Sequence, residues 1–152
     1  MQHPLSIIGI VGAGTMGSGI AQVCALSGLQ VVMVDIAEAA VARGVATVSS
    51  SLDRLIKKGS IGADEKAAAL GRIQGTTDYS ALNAAQIVIE AATENVDLKV
   101  KILRQLDASL PHDAIIASNT SSISITKLAA VTQRADRFIG MHFFNPVPMM
   151  AL

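Results

Sequence analysis

The passage from Leu5 to Asp35 constrains this chain most: an apolar run ends in three glycines spaced G-x-G-x-x-G, and a helical pattern begins at once. Leu5 to Val11 lacks the alternation of a half-exposed strand, so it reads as a strand covered on both faces within a parallel sheet. In GAGTMG, Gly12 makes the tight turn, Gly14 admits a ligand close to the backbone, and Gly17 lets helix and strand pack closely. Met16, Ile20, Val23 and Cys24 follow at helical spacing up to Gly28. The loop therefore opens a helix whose first residues, Thr15 and Met16, bring unpaired N–H groups and a positive dipole end to the turn. Such a corner holds a phosphate.

Val31 to Val34 supplies a second buried strand, and Asp35 closes it at roughly the 20-residue separation of a dinucleotide fingerprint. A carboxylate there accepts hydrogen bonds from both hydroxyls of an adenosine ribose and repels a 2′-phosphate, for which neither Ile36 nor Ala37 offers a compensating cation. The pair predicts NAD rather than NADP. A plain βα corner, with Asp35 capping the next helix, explains either signal alone but needs a coincidence to explain both.

Strand and helix patterns keep alternating beyond Asp35. Ala37 to Lys58 reads as a long helix closed by Gly59, Asp64 to Leu70 as a short one capped by Asp64, and Arg72 to Thr76 as a brief strand before a Thr77-Asp78-Tyr79 turn. Ile87 to Ala91 is a strand, Val96 to Leu110 a helix with apolar Val96, Val100, Leu103, Leu106 and Leu110, and Ala114 to Ala117 another strand. Ser124 caps a short helix through Ala130, and Arg137 to Phe144 forms a last strand running into Pro146. The expected fold is α/β: one Rossmann-type, doubly wound domain over 1–152, with a mostly parallel sheet and helices on both faces.

Composition narrows the partners. Lys plus Arg and Asp plus Glu balance at twelve each, leaving no broad basic surface for nucleic acid. No apolar run reaches the roughly 20 residues needed to span a bilayer. Cys24 stands alone, so it forms neither an internal disulfide nor a zinc site, and no metal is expected. Met1 to Pro4 shows no basic or cleavable leader, so a cytoplasmic location is the expectation.

Later strand ends carry an unusual set of polar residues: Glu94-Asn95, Asn119-Thr120-Ser121-Ser122, then His142 and Asn145. With GAGTMGSGIAQ, EAATENVDLK, ASNTSSISI and GMHFFNPVPMM in that order, nearly the whole chain resembles the 3-hydroxyacyl-CoA dehydrogenase family, in its 3-hydroxybutyryl-CoA-like form. The resemblance implies hydride exchange between NAD and the C3 carbon of an acyl-CoA, with His142 as acid and base. Ser121 then bonds the reacting oxygen, while Ser122 serves the local turn. It further implies that Glu94, Lys99 and Asn119 lie near the cofactor, that Asn145 lies beside the histidine and near both cofactor and substrate, and that Lys57 or Lys58 faces the CoA portion. Surface solvation explains those two lysines equally well.

Family members continue past NPVP into an acid that orients the histidine and a helical carboxy-terminal domain that dimerises. The resemblance thus implies an isolated amino-terminal domain that binds NAD with little or no turnover, and whose Phe143 to Leu152 tail exposes apolar surface. Two alternatives remain: a non-catalytic dinucleotide-binding module, and another Rossmann dehydrogenase of 3-hydroxyacids, against which SNTSS with HFFNP argues.

Overall fold

The structure, a computed structural model, describes residues 4–152; Met1 to His3 and the reading of a leaderless start placed on them lie outside the described residues. Six strands form one sheet, all neighbours parallel, in the order β3-β2-β1-β4-β5-β6. They are β1 Ile7–Val11, β2 Gln30–Val34, β3 Ile73–Thr76, β4 Ile87–Glu90, β5 Ile115–Ser118 and β6 Phe138–Gly140. The helices are α1 Thr15–Leu26, α2 Glu38–Lys57, α3 Ala63–Gly71, α4 Val96–Ser109 and α5 Ile125–Ala129. The order reverses between β1 and β4, which puts the ligand crevice beyond the carboxyl ends of those two strands.

Strand alternation divides the core into two layers. Ile8, Ile10, Val31, Met33 and Ile89 pack with α1, α2 and Ala69 of α3; Val11, Val32, Val34, Val88 and Ile116 pack with α4, α5 and Leu82. The doubly wound expectation therefore holds, and the sheet is wholly rather than mostly parallel.

Element ends depart from the sequence reading for local reasons. The first strand begins at Ile7, not Leu5, because Gln86 Oε1 takes the N–H groups of Ser6 and Ile7 (2.6 and 3.1 Å) before ladder pairing starts. Gly62 rather than Asp64 caps α3, with Glu65 reaching back to the Gly62 N–H. The Asp78 turn opens a 3-10 helix, Tyr79–Ala84, as Asp78 Oδ1 accepts from Ser80 N–H.

The last strand is the largest correction: it runs three residues rather than eight. After Gly140 the Phe143 N–H goes to the Asn119 side chain, and the chain turns over α1, burying Phe143 and Val147 in the α1 layer. Gly19 permits this crossing, since a Cβ there would sit 2.9 Å from Val147 Cβ. In α4 the buried face is Lys99, Ile102, Leu103 and Leu106, while Val96 is exposed.

Candidate functional site

The glycine corner is as tight as the motif requires. Gly12 has φ +109°, and a Cβ on it would lie 2.6 Å from Ala91 O; a Cβ on Gly17 would lie 1.7 Å from Gly12 O. Gly14 differs, with open space around its Cβ position. It is the N-cap of α1, and no side chain caps that first turn, so the N–H groups of Thr15 and Met16 remain available. An open cradle of backbone donors at a helix start fits a pyrophosphate.

Asp35, half-buried at the end of β2, completes the fit. Its Oδ2 accepts from Ala13 N–H (2.8 Å) and Oδ1 from Ile36 N–H (2.7 Å), leaving each oxygen capacity for a ribose hydroxyl. Ile36 beside it is 89% exposed, an apolar platform at the rim. These residues, Gly12, Gly14, Thr15, Met16, Gly17 and Asp35, would hold NAD.

Across the crevice the later motifs converge on the end of β5. Asn119 N–H donates to Glu90 O (2.9 Å), and Asn119 Oδ1 accepts from Phe143 N–H (2.8 Å), tying the SNTSS turn to the His142 segment. Thr120 and Ser122 hydroxyls both donate to Glu94 Oε2 (2.9 and 2.8 Å). Partial burial pushes the Glu94 carboxyl up, but those hydrogen bonds and the Lys99 charge outweigh it and hold it below the ordinary range. Ser121 and His142 are exposed, and the imidazole lies 4.5 Å from the Phe144 ring, tilted by 39°.

Two of the expected site residues have surroundings that the sequence did not foretell. Lys99, placed by the resemblance near the cofactor, is 1% exposed with its ammonium on Glu90. The reason is Glu90 itself, a fully buried carboxylate that the sequence reading did not single out. Its Oε1 also accepts from Ser118 Oγ (2.8 Å), and its Oε2 from Ala92 N–H (2.8 Å). A signal existed: Glu90 ends an apolar strand as Asp35 does, and the register sets Val11, Glu90 and Ser118 side by side at the sheet's carboxyl edge.

Lys57 is the last residue of α2. A cavity of about 240 Å³ between α1, α2 and the tail is lined by Gln22, Ser51, Arg54, Lys58, Asn145 and Met149 among others, and Lys57 is not one of its walls. Arg54 in the last turn of α2 and Lys58, its C-cap, lie four residues apart on the side turned towards α1, and Asn145 joins them from the tail. Among the described residues no cluster of His, Cys, Asp and Glu is placed to hold a metal, and no helix is long and apolar enough to cross a membrane.

The family described as 3-hydroxyacyl-CoA dehydrogenase, NAD binding domain, matches residues 7–152. The chain is similar to the crystal structure of (S)-3-hydroxybutyryl-CoA dehydrogenase from Ralstonia eutropha, with 70% identity and a TM-score of 0.96 over 98% of this chain and 53% of that one. It is 46% identical to 3-hydroxybutyryl-CoA dehydrogenase of Bradyrhizobium diazoefficiens over 95% of this chain and 50% of that protein. It is also 41% identical to the fatty acid oxidation complex subunit alpha of Pseudomonas entomophila, over 99% of this chain and 21% of that protein. The chain spans about half the length of the first curated relatives it matches.

Proposed function

The chain belongs to the 3-hydroxyacyl-CoA dehydrogenase family through its NAD-binding domain, and from that membership we propose that it is the cofactor-binding half of an enzyme interconverting (S)-3-hydroxyacyl-CoA and 3-ketoacyl-CoA. One observation carries the reading: the 2.8 Å bond from Phe143 N–H to Asn119 Oδ1 sets the SNTSS turn beside His142, at the sheet edge that bears the glycine loop. Bound NAD supplies the hydride acceptor. His142 takes the proton from the C3 hydroxyl during oxidation and returns it during reduction, a task suited to imidazole. Ser121 donates a hydrogen bond to the same oxygen, stabilising the charge that develops on it.

Arg54 and Lys58, rather than Lys57, meet the phosphates of the CoA portion from the α1–α2 cavity, and Asn145 borders the acyl end. Short 3-hydroxybutyryl chains are the preferred class, as in the similar dehydrogenases. The complete enzyme is a cytoplasmic homodimer on this reading, and the apolar tail, where Met149 is 73% exposed, offers surface for association.

The test is a fluorescence titration with NADH, followed by NADH oxidation with acetoacetyl-CoA, using this chain and a longer chain carrying the second half of the relatives' length. Both bind NADH, and turnover appears with the longer chain. If the longer chain binds NADH but ignores acetoacetyl-CoA and longer 3-ketoacyl-CoAs, the reading fails. A second reading, a binding module without chemistry, draws on the exposed His142, which no carboxylate among the described residues engages. Turnover by the longer chain, lost in His142→Ala, decides against it.

A further inference from the structure

We propose that the buried Glu90–Lys99 pair is a positioning joint that fixes the glycine loop and the His142 segment to each other, so that cofactor and imidazole are set by one carboxylate. The inference rests on the reading above in taking the loop and His142 as parts of one site.

Glu90 ends β4, the strand beside β1 at the reversal of strand order, and is 0% exposed; Lys99 reaches it from the first turns of α4. Burying two charges is costly, and an apolar pair of similar volume would serve stability as well or better. What an apolar pair lacks is directional hydrogen bonding, and Glu90 uses its two oxygens in two directions.

Oε2 accepts from Ala92 N–H and so holds the Ala91–Ala92 corner. That corner is the wall against which Gly12 packs, for a Cβ on Gly12 would lie 2.6 Å from Ala91 O and 2.8 Å from Ala92 Cα. One side of the carboxylate therefore sets where the phosphate-binding turn sits.

Oε1 accepts from Ser118 Oγ and holds Lys99 in place. Ser118 O in turn accepts from Met141 N–H (3.0 Å), and the next residue, Asn119, takes Phe143 N–H. The two amides that flank His142 are thus both anchored to the end of β5, which Glu90 grips through a side chain and through its own backbone O to Asn119 N–H. Lys99 neutralises the joint, and through Glu90 it acts on the site.

The test is the double variant Glu90→Gln with Lys99→Met in this chain, which removes both charges and keeps the shape. It is expected to fold with a melting temperature near the parent's, to bind NADH about tenfold more weakly, and to exchange the Ala92 and Phe143 amide hydrogens about tenfold faster without ligand. A folded double variant with parental NADH affinity and parental exchange at both amides overturns the proposal. Should the double variant fail to fold, Ser118→Ala decides: faster exchange at Phe143 with Ala92 unchanged supports the joint, and unchanged exchange at Phe143 overturns it. None of these readouts involves acyl-CoA, so failure of the dehydrogenase reading leaves the joint to be judged separately.

Discussion

Asp35 holds the Ala13 N–H of the loop, and in the proposed function it also selects the ligand, its negative charge opposing a 2′-phosphate. Asp35→Ser is expected to weaken NADH binding about tenfold and to narrow the preference over NADPH, as read by parallel fluorescence titrations; an unchanged ratio would remove Asp35 as the selector. Glu94 gives a pH test. Its folded carboxyl titrates below the ordinary value, so its contribution to stability is present at neutral pH and is lost as pH falls through the folded value. Ser122→Ala is expected to move the Glu94 titration upward by NMR and the acid-unfolding midpoint slightly upward, the effect being small at so exposed a group. Burial pushes the Cys24 thiol up to about 11, so it should resist alkylation at pH 8 in the folded chain and react on unfolding. Asp35 and the glycines were legible because one motif names them with their spacing. Glu90 was not, because a carboxylate at a strand end reads as exposed until its partners, Ser118 and Lys99, are brought to it by register and helix packing.

At the scale of elements, α4 shows how far periodicity carries. The apolar spacing located the helix correctly but put Val96 inside and gave no reason to bury Lys99, since burial of a lysine depends on a partner from another element. The ends of α4 are held unequally. Asn95 Oδ1 accepts from Leu98 N–H (3.0 Å) at the start. At the finish the buried Arg134 pairs with Asp107 Oδ1 (2.7 Å) and donates to the carbonyls of Asp107, Leu110, Pro111 and Ala114. Asn95→Ala should cost about 1 kcal/mol, and Arg134→Ala roughly 3–5 kcal/mol because it strands a carboxylate and several carbonyls. Urea unfolding of the two variants checks the order; an equal cost would show that the arginine network adds nothing beyond an ordinary cap. The short β6 escaped the sequence for a similar reason: the residues from Met141 to Phe144 have a strand's composition, but Asn119 takes the Phe143 amide before a ladder can continue.

At the scale of the molecule, the parallel sheet with helices on both faces followed from the alternation of elements, whereas the order of its strands and the path of the last residues did not. Their apolar side chains divide: Phe143 and Val147 are buried on α1, while Phe144, Met149 and Leu152 are exposed. The isolated chain should therefore self-associate with rising concentration in sedimentation or light scattering, and the longer chain should cover this patch. A clean monomer across the concentration range would speak against the tail as a docking surface. The seat of Val147 over Gly19 has a mechanical meaning as well. A pull on the end of this chain meets Val147 on the first helix before it meets Phe143, whose amide is tied through Asn119 to the end of β5. The tail is thus braced on the helix that begins at the glycine loop, so tension on it loads that helix as well as the strands.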